Sequence, residues 1–103
     1  MKAREKVIKK RSPRYEITID YPKNNEVITY KNHYAIRICT PNEGMVEISI
    51  DGSEYQKCRY SVGYWWYDWN NIPEGTHTLE ARLINVKNNR VLKKSQKVKC
   101  VVK

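Results

Sequence analysis

The 103-residue chain contains no Phe, four Gly, three Cys and two His. Each scarcity excludes something. Four scattered glycines make no Gly-rich phosphate loop. Three cysteines at wide spacing, Cys39, Cys58 and Cys100, form neither a disulfide framework nor a CxxC pair for zinc. One disulfide with a free thiol remains possible, but three buried free thiols are expected, because free Cys packs as a small hydrophobe. His33 and His77 stand at no ligand spacing from these thiols, so neither metal nor cofactor is expected. No apolar run approaches the about 18 residues of a membrane span, and no membrane insertion is expected. The N-terminal MKAREKVIKKRSPR lacks the apolar stretch of a secretory signal. As written, the chain reads as cytoplasmic; as a piece of a larger exported protein it would belong to the cell surface or be secreted.

The net charge is +9, and it is segregated. Residues 1–14 carry +6, residues 87–103 carry +7, and residues 15–86 carry −4. Residues 1–13 are expected to form a basic, flexible tail, and 14–103 a single domain. Lys2, Arg4, Lys6, Lys9, Lys10, Arg11 and Arg14 would then form a solvated run or an arm for nucleic acid or another polyanion.

The remaining signals are nearly all β. Tyr15, Ile17, Ile19 and Tyr21 alternate with polar residues, and Pro22 ends the run. Glu26–Tyr30 is a short β-prone piece. Tyr34, Ile36 and Ile38 alternate, as do Val46, Ile48 and Ile50 before Asp51-Gly52, a tight hairpin signal. Gln56, Cys58, Tyr60 and Val62 follow, then YWWYDW at 64–69, a turn through Pro73 and Gly75, the set His77, Leu79, Ala81 and Leu83, and a last strand over 91–102. About seven short strands with regular turn signals, and no amphipathic helix in the body, predict an all-β fold of two packed antiparallel sheets.

From Gly44 onward the features fall in a familiar order. VEISIDG at 46–52 precedes an aromatic strand ending in Trp69, then PEGTHTL at 73–79, then a Val-rich strand. This resembles the bacterial immunoglobulin-like domains, including the fibronectin type III-like kind. The turn at 85–89 departs from the family's Asp- and Gly-containing turn. The three Cys and the basic N-terminal run also lie outside its pattern. The resemblance implies an immunoglobulin-like antiparallel β-sandwich serving as a structural or protein-interaction module, self-association included. It implies that Trp69 points inward with Trp65 and Tyr67, leaving Tyr64, Trp66 and Asp68 outward. It also makes His77 a corner residue bonded to backbone in the preceding turn, with Pro73 and Gly75 shaping that corner.

No catalytic set stands out. Asp68 and Glu74 could be read as a carboxylate pair, but Glu74 sits in a turn where acids are common. The serines lack a strand-turn-helix setting. The chain is therefore expected not to be an enzyme. Eight Tyr and three Trp suit half-wet surfaces. Tyr64 and Trp66, with Tyr55 and Tyr60 on the neighbouring strand, are the candidate binding patch, for a protein partner or a carbohydrate.

Overall fold

The computed structural model describes residues 14–103; the expected tail, with Lys2, Arg4, Lys6, Lys9, Lys10 and Arg11, lies outside them. Ten short strands form two sheets: β1 (Thr18–Tyr21), β2 (Glu26–Ile28), β3 (His33–Cys39), β4 (Met45–Ile50), β5 (Gln56–Lys57), β6 (Arg59–Ser61), β7 (Tyr64–Asn70), β8 (Gly75–Ile84), β9 (Val91–Lys94) and β10 (Val98–Val102). One sheet has the order β1-β3-β7-β6. The other runs β2-β10-β8-β4-β5, with β9 also paired to β8. All pairings are antiparallel except β2 with β10. Strands β1-β3-β7-β6 against β4-β8-β10 reproduce the two sheets of an immunoglobulin constant-type sandwich. The expected all-β immunoglobulin-like sandwich is the observed fold.

Alternation along the strands builds the core. Ile36 and Ile38 of β3 and Trp69 of β7 face Val46 and Ile48 of β4, Leu79, Ala81 and Leu83 of β8, and Cys100 of β10. These side chains are almost wholly removed from water, and with no Phe in the chain the aromatic contribution to the core comes from Tyr and Trp. Gly44 precedes β4 at φ 148°, where an added Cβ would lie 2.6 Å from the Ile84 carbonyl oxygen. No side chain fits that approach.

Ten segments arise from about seven expected strands and the short piece at 26–30 because two of those strands are divided. The first strand ends at Pro22 as expected, and the piece beyond it joins the other sheet: β1 pairs with β3, and β2 pairs with β10. The expected 56–62 strand divides at Cys58. Its first half pairs with β4 and its second with β7. The last strand is interrupted at Ser95, whose N–H donates to the Ala81 carbonyl (2.8 Å) while its Oγ accepts the Ala81 N–H (2.9 Å).

Two local expectations need correction. Asp51-Gly52 does form a turn, with φ of 56° and 76° and a Ser53 N–H bond to the Ile50 carbonyl. It is not a tight hairpin, because pairing resumes only at Gln56 opposite Ile48. Asp51 is instead tied to β8: its N–H donates to the Thr78 carbonyl (2.7 Å), and its Oδ1 accepts the Thr78 N–H (2.9 Å). The two-residue hairpin is Val62-Gly63, with Ser61 opposite Tyr64 and φ of 53° and 82°, the primed geometry that tight hairpins favour. Tyr21 was expected to share a face with Ile17 and Ile19. A register shift between Ile19 and Tyr21 turns it to the opposite side of the sheet.

Candidate binding face of the four-stranded sheet

Strand β7 distributes its aromatics as alternation requires. Trp65, Tyr67 and Trp69 pack on the core. Tyr64, Trp66 and Asp68 lie on the outer side of the β1-β3-β7-β6 sheet. Register then assembles a surface. Arg59 of β6 lies opposite Trp66, Trp66 lies opposite Arg37 of β3, and Arg37 lies opposite Tyr21 of β1. Arg59, Trp66, Arg37 and Tyr21 thus form one row across all four strands.

The row is held in place by its own contacts. The Arg37 guanidinium stands 4.7 Å from the Tyr21 ring centre and 4.2 Å from that of Tyr64. Its Nε donates to Asp20 Oδ2 at 3.1 Å. Each cation–π contact at a partly exposed site contributes about 0.5–1 kcal/mol. Lys23 Nζ also lies 4.8 Å from the Tyr21 ring centre. Tyr64 and Trp66 meet edge to face, 6.1 Å between centres and 76° between planes. The Trp66 indole N–H donates to the Ser61 carbonyl at 2.9 Å. Below the row, Asp68 accepts from Arg59 Nε (3.2 Å) and sits 3.1 Å from His33 Nε2. Hydrogen bonds from Arg59, then His33, hold its carboxyl below the usual range.

The other two candidates lie elsewhere, and the four-residue patch divides. Tyr60 is opposite Trp65 rather than Trp66 and meets it edge to face at 5.3 Å, so it does not share the side of the sheet that carries Trp66. Tyr55 belongs to the opposite sheet: its hydroxyl donates to Glu80 (2.9 Å), and Arg82 covers its ring at 3.8 Å. The switch at Cys58 separates the two tyrosines. Tyr21, Arg37 and Arg59 take their places on the face. Of the three, only Arg37 carries an outward phase in the sequence; register opposite Trp66 brings in Arg59, and a bulge turns Tyr21 to the same side.

At the corner, His77 is buried beside Trp69, 5.2 Å away and nearly perpendicular. Its Nε2 lies 2.8 Å from the Pro73 carbonyl, the backbone bond expected of a corner residue, and its Nδ1 lies 2.6 Å from Asp51 Oδ2. Both partners are acceptors, so the imidazolium, with an N–H on each nitrogen, satisfies both. Burial works against that charge, but the bonds to Asp51 and Pro73 prevail and the His77 pKa is raised. Gly75 opens β8 at φ 124°, a region that L side chains rarely adopt.

The residues with chemical potential are committed elsewhere. Asp68 and Glu74 belong to separate ion pairs, Glu74 with Lys31, and hydrogen bonding to Lys31 lowers the Glu74 pKa. The three thiols are free; Cys39 and Cys58 are half-buried and Cys100 is buried. Burial pushes the Cys58 thiol up to about 12 and that of Cys100 to about 11, far from the thiolate a nucleophile requires. Among the described residues no His, Cys, Asp and Glu cluster could hold a metal ion, and no helix is long and apolar enough to cross a membrane.

No protein-family model matches the sequence, and no curated protein does. Solved structures match the fold. The chain is similar to the fibronectin(III)-like modules of Clostridium thermocellum CbhA, with a TM-score of 0.69 and 20% identity over 85% of this chain and 96% of that one. The fold is fibronectin type III-like. A second likeness is to a CARDB domain from Pyrococcus furiosus, solved in complex with di-metal ions. There the TM-score is 0.50, with 17% identity over 87% of this chain and 93% of that one. Both neighbours are immunoglobulin-like modules, and this module shares their architecture.

Proposed function

We propose that this module is a non-catalytic protein-interaction domain that docks a partner on the Arg59–Trp66–Arg37–Tyr21 row, with Tyr64 completing the surface. The observation that carries the reading is the clamping of Arg37 between Tyr21 and Tyr64. Trp, Tyr and Arg dominate binding energy at protein interfaces, and they do so best when little rotamer freedom remains to be lost. Here ring, edge-to-face and hydrogen-bond contacts restrict Arg37, Tyr64 and Trp66. The face also mixes Arg37, Arg59 and Lys23 with Asp20 and Asp68, which suits a polar rim around an aromatic centre.

Geometry disfavours the carbohydrate alternative. A sugar platform presents a flat ring face, whereas Tyr64 and Trp66 stand edge to face and Arg37 covers Tyr64. A net charge of +9 opposes self-association and favours a different partner. The test is capture on the immobilised chain of residues 1–103, comparing wild type with Trp66→Ala and Arg37→Ala. A protein retained by wild type and lost from both variants, with no glycan bound, supports the reading. Retention by both variants overturns it.

A further inference from the structure

A second site lies on the open side of the sandwich, between β1 and the β9–β10 segment, where a cleft of about 830 Å³ separates the two sheets. Both walls are strand edges. β1 pairs only with β3, and β9 only with β8, among the described residues. Pairing of β10 with β2 begins at Cys100, and Asn24 and Asn25 take the N–H and C=O of Lys99. Upstream of Lys99 that edge has no backbone partner among the described residues. On the β1 side, Glu16 turns its N–H to Asn42 and its C=O to Thr40, toward β3. Backbone alternation then turns the polar groups of Ile17 and Ile19 the other way, into the cleft.

The cleft has a sign. Arg14, Lys23, Lys93, Lys94 and Lys97 line it, all exposed, and none of the lysines pairs with a described carboxylate. Of its two acids, Asp20 is neutralised by Arg37 at 3.1 Å, leaving Glu16. We infer that this cleft binds an extended acidic peptide, which adds as a strand to the edge of β1 and sets its carboxylates against Lys93, Lys94 and Lys97. Strand addition uses the free backbone groups for affinity and the side chains for selection. A nucleic acid would make poor use of the site, because carbonyl acceptors repel phosphate and only Tyr15 offers a ring for base stacking. The basic N-terminal run has the sign of the cleft itself and is disfavoured as its occupant.

The experiment is a fluorescence anisotropy titration of the full chain with a labelled peptide of alternating Glu and Val. Binding should weaken with salt and fall by at least about tenfold in the triple variant Lys93→Glu, Lys94→Glu, Lys97→Glu, whose circular dichroism reports an intact fold. Peptides N-methylated at every second residue, in both phases, test the strand. One phase should bind like the parent and the other at least about tenfold more weakly. Trp66→Ala should leave this binding unchanged, which separates the cleft from the aromatic face. Equal binding by both N-methylated phases, or tighter binding of an oligo-dT of the same charge, overturns the proposal.

Discussion

The inner and outer sides of β7 use the same residue types for different ends. On the inner side Trp69 is 7% exposed and lies against the His77 ring. On the outer side Trp66 stays half-buried, fixed by a carbonyl, a tyrosine edge and two arginines opposite it in register. The inner Trp has its contacts made by the fold alone. The outer one is positioned by the fold but keeps surface to share. The two His–Asp pairs repeat the contrast. His77–Asp51 has a His side chain 9% exposed at 2.6 Å, whereas His33–Asp68 has 45% exposure at 3.1 Å. Position, not residue type, separates a structural group from an available one.

The largest break in that contrast is Trp69→Ala. It should cost about 3–5 kcal/mol, as large-to-small aromatic changes in cores do, and is measured by urea unfolding. Next is the corner. Asp51→Asn should destabilise by about 1–3 kcal/mol, because the buried imidazolium loses its counter-charge. The pH dependence follows from the raised His77 pKa. Its contribution to stability is complete below the unfolded-state value, about 6.5, and is lost as pH rises through the higher folded-state value. Unfolding midpoints measured from acid-neutral to alkaline pH should therefore decline in wild type and decline less in Asp51→Asn. A parallel decline in both would remove His77 from the account. The smallest effect is at the exposed pair. His33→Ala should change stability by no more than about 0.5 kcal/mol, since solvent screens both partners.

Much of this was legible beforehand because strand alternation is a period-two code. It sorts Trp65, Tyr67 and Trp69 onto one side and Tyr64 and Trp66 onto the other; the resemblance to immunoglobulin-like domains implies which side is inner and implies the corner role of His77. What alternation does not carry is which strands become neighbours. Nothing local at Cys58 announces a change of sheet, so Tyr55 and Tyr60 could be grouped with a face that neither joins. Nothing local at Tyr21 announces the register shift that turns it outward to Arg37. The Asp51-Gly52 signal predicts a tight hairpin because the turn chemistry is right. The competing event, capture of Asp51 by Thr78 and His77, depends on residues some 26 positions away. The face and the cleft both emerge from long-range pairing, and the residues that complete them are the ones sequence order keeps apart.

The most direct test of the division within β7 is equilibrium urea unfolding of Trp66→Ala and Trp69→Ala side by side. Trp69→Ala should lose about 3–5 kcal/mol, while Trp66→Ala should lose about 1 kcal/mol, the scale of its single hydrogen bond and edge contact. Equal losses, or a greater loss in Trp66→Ala, would contradict the assignment of the inner side to the fold and the outer side to binding.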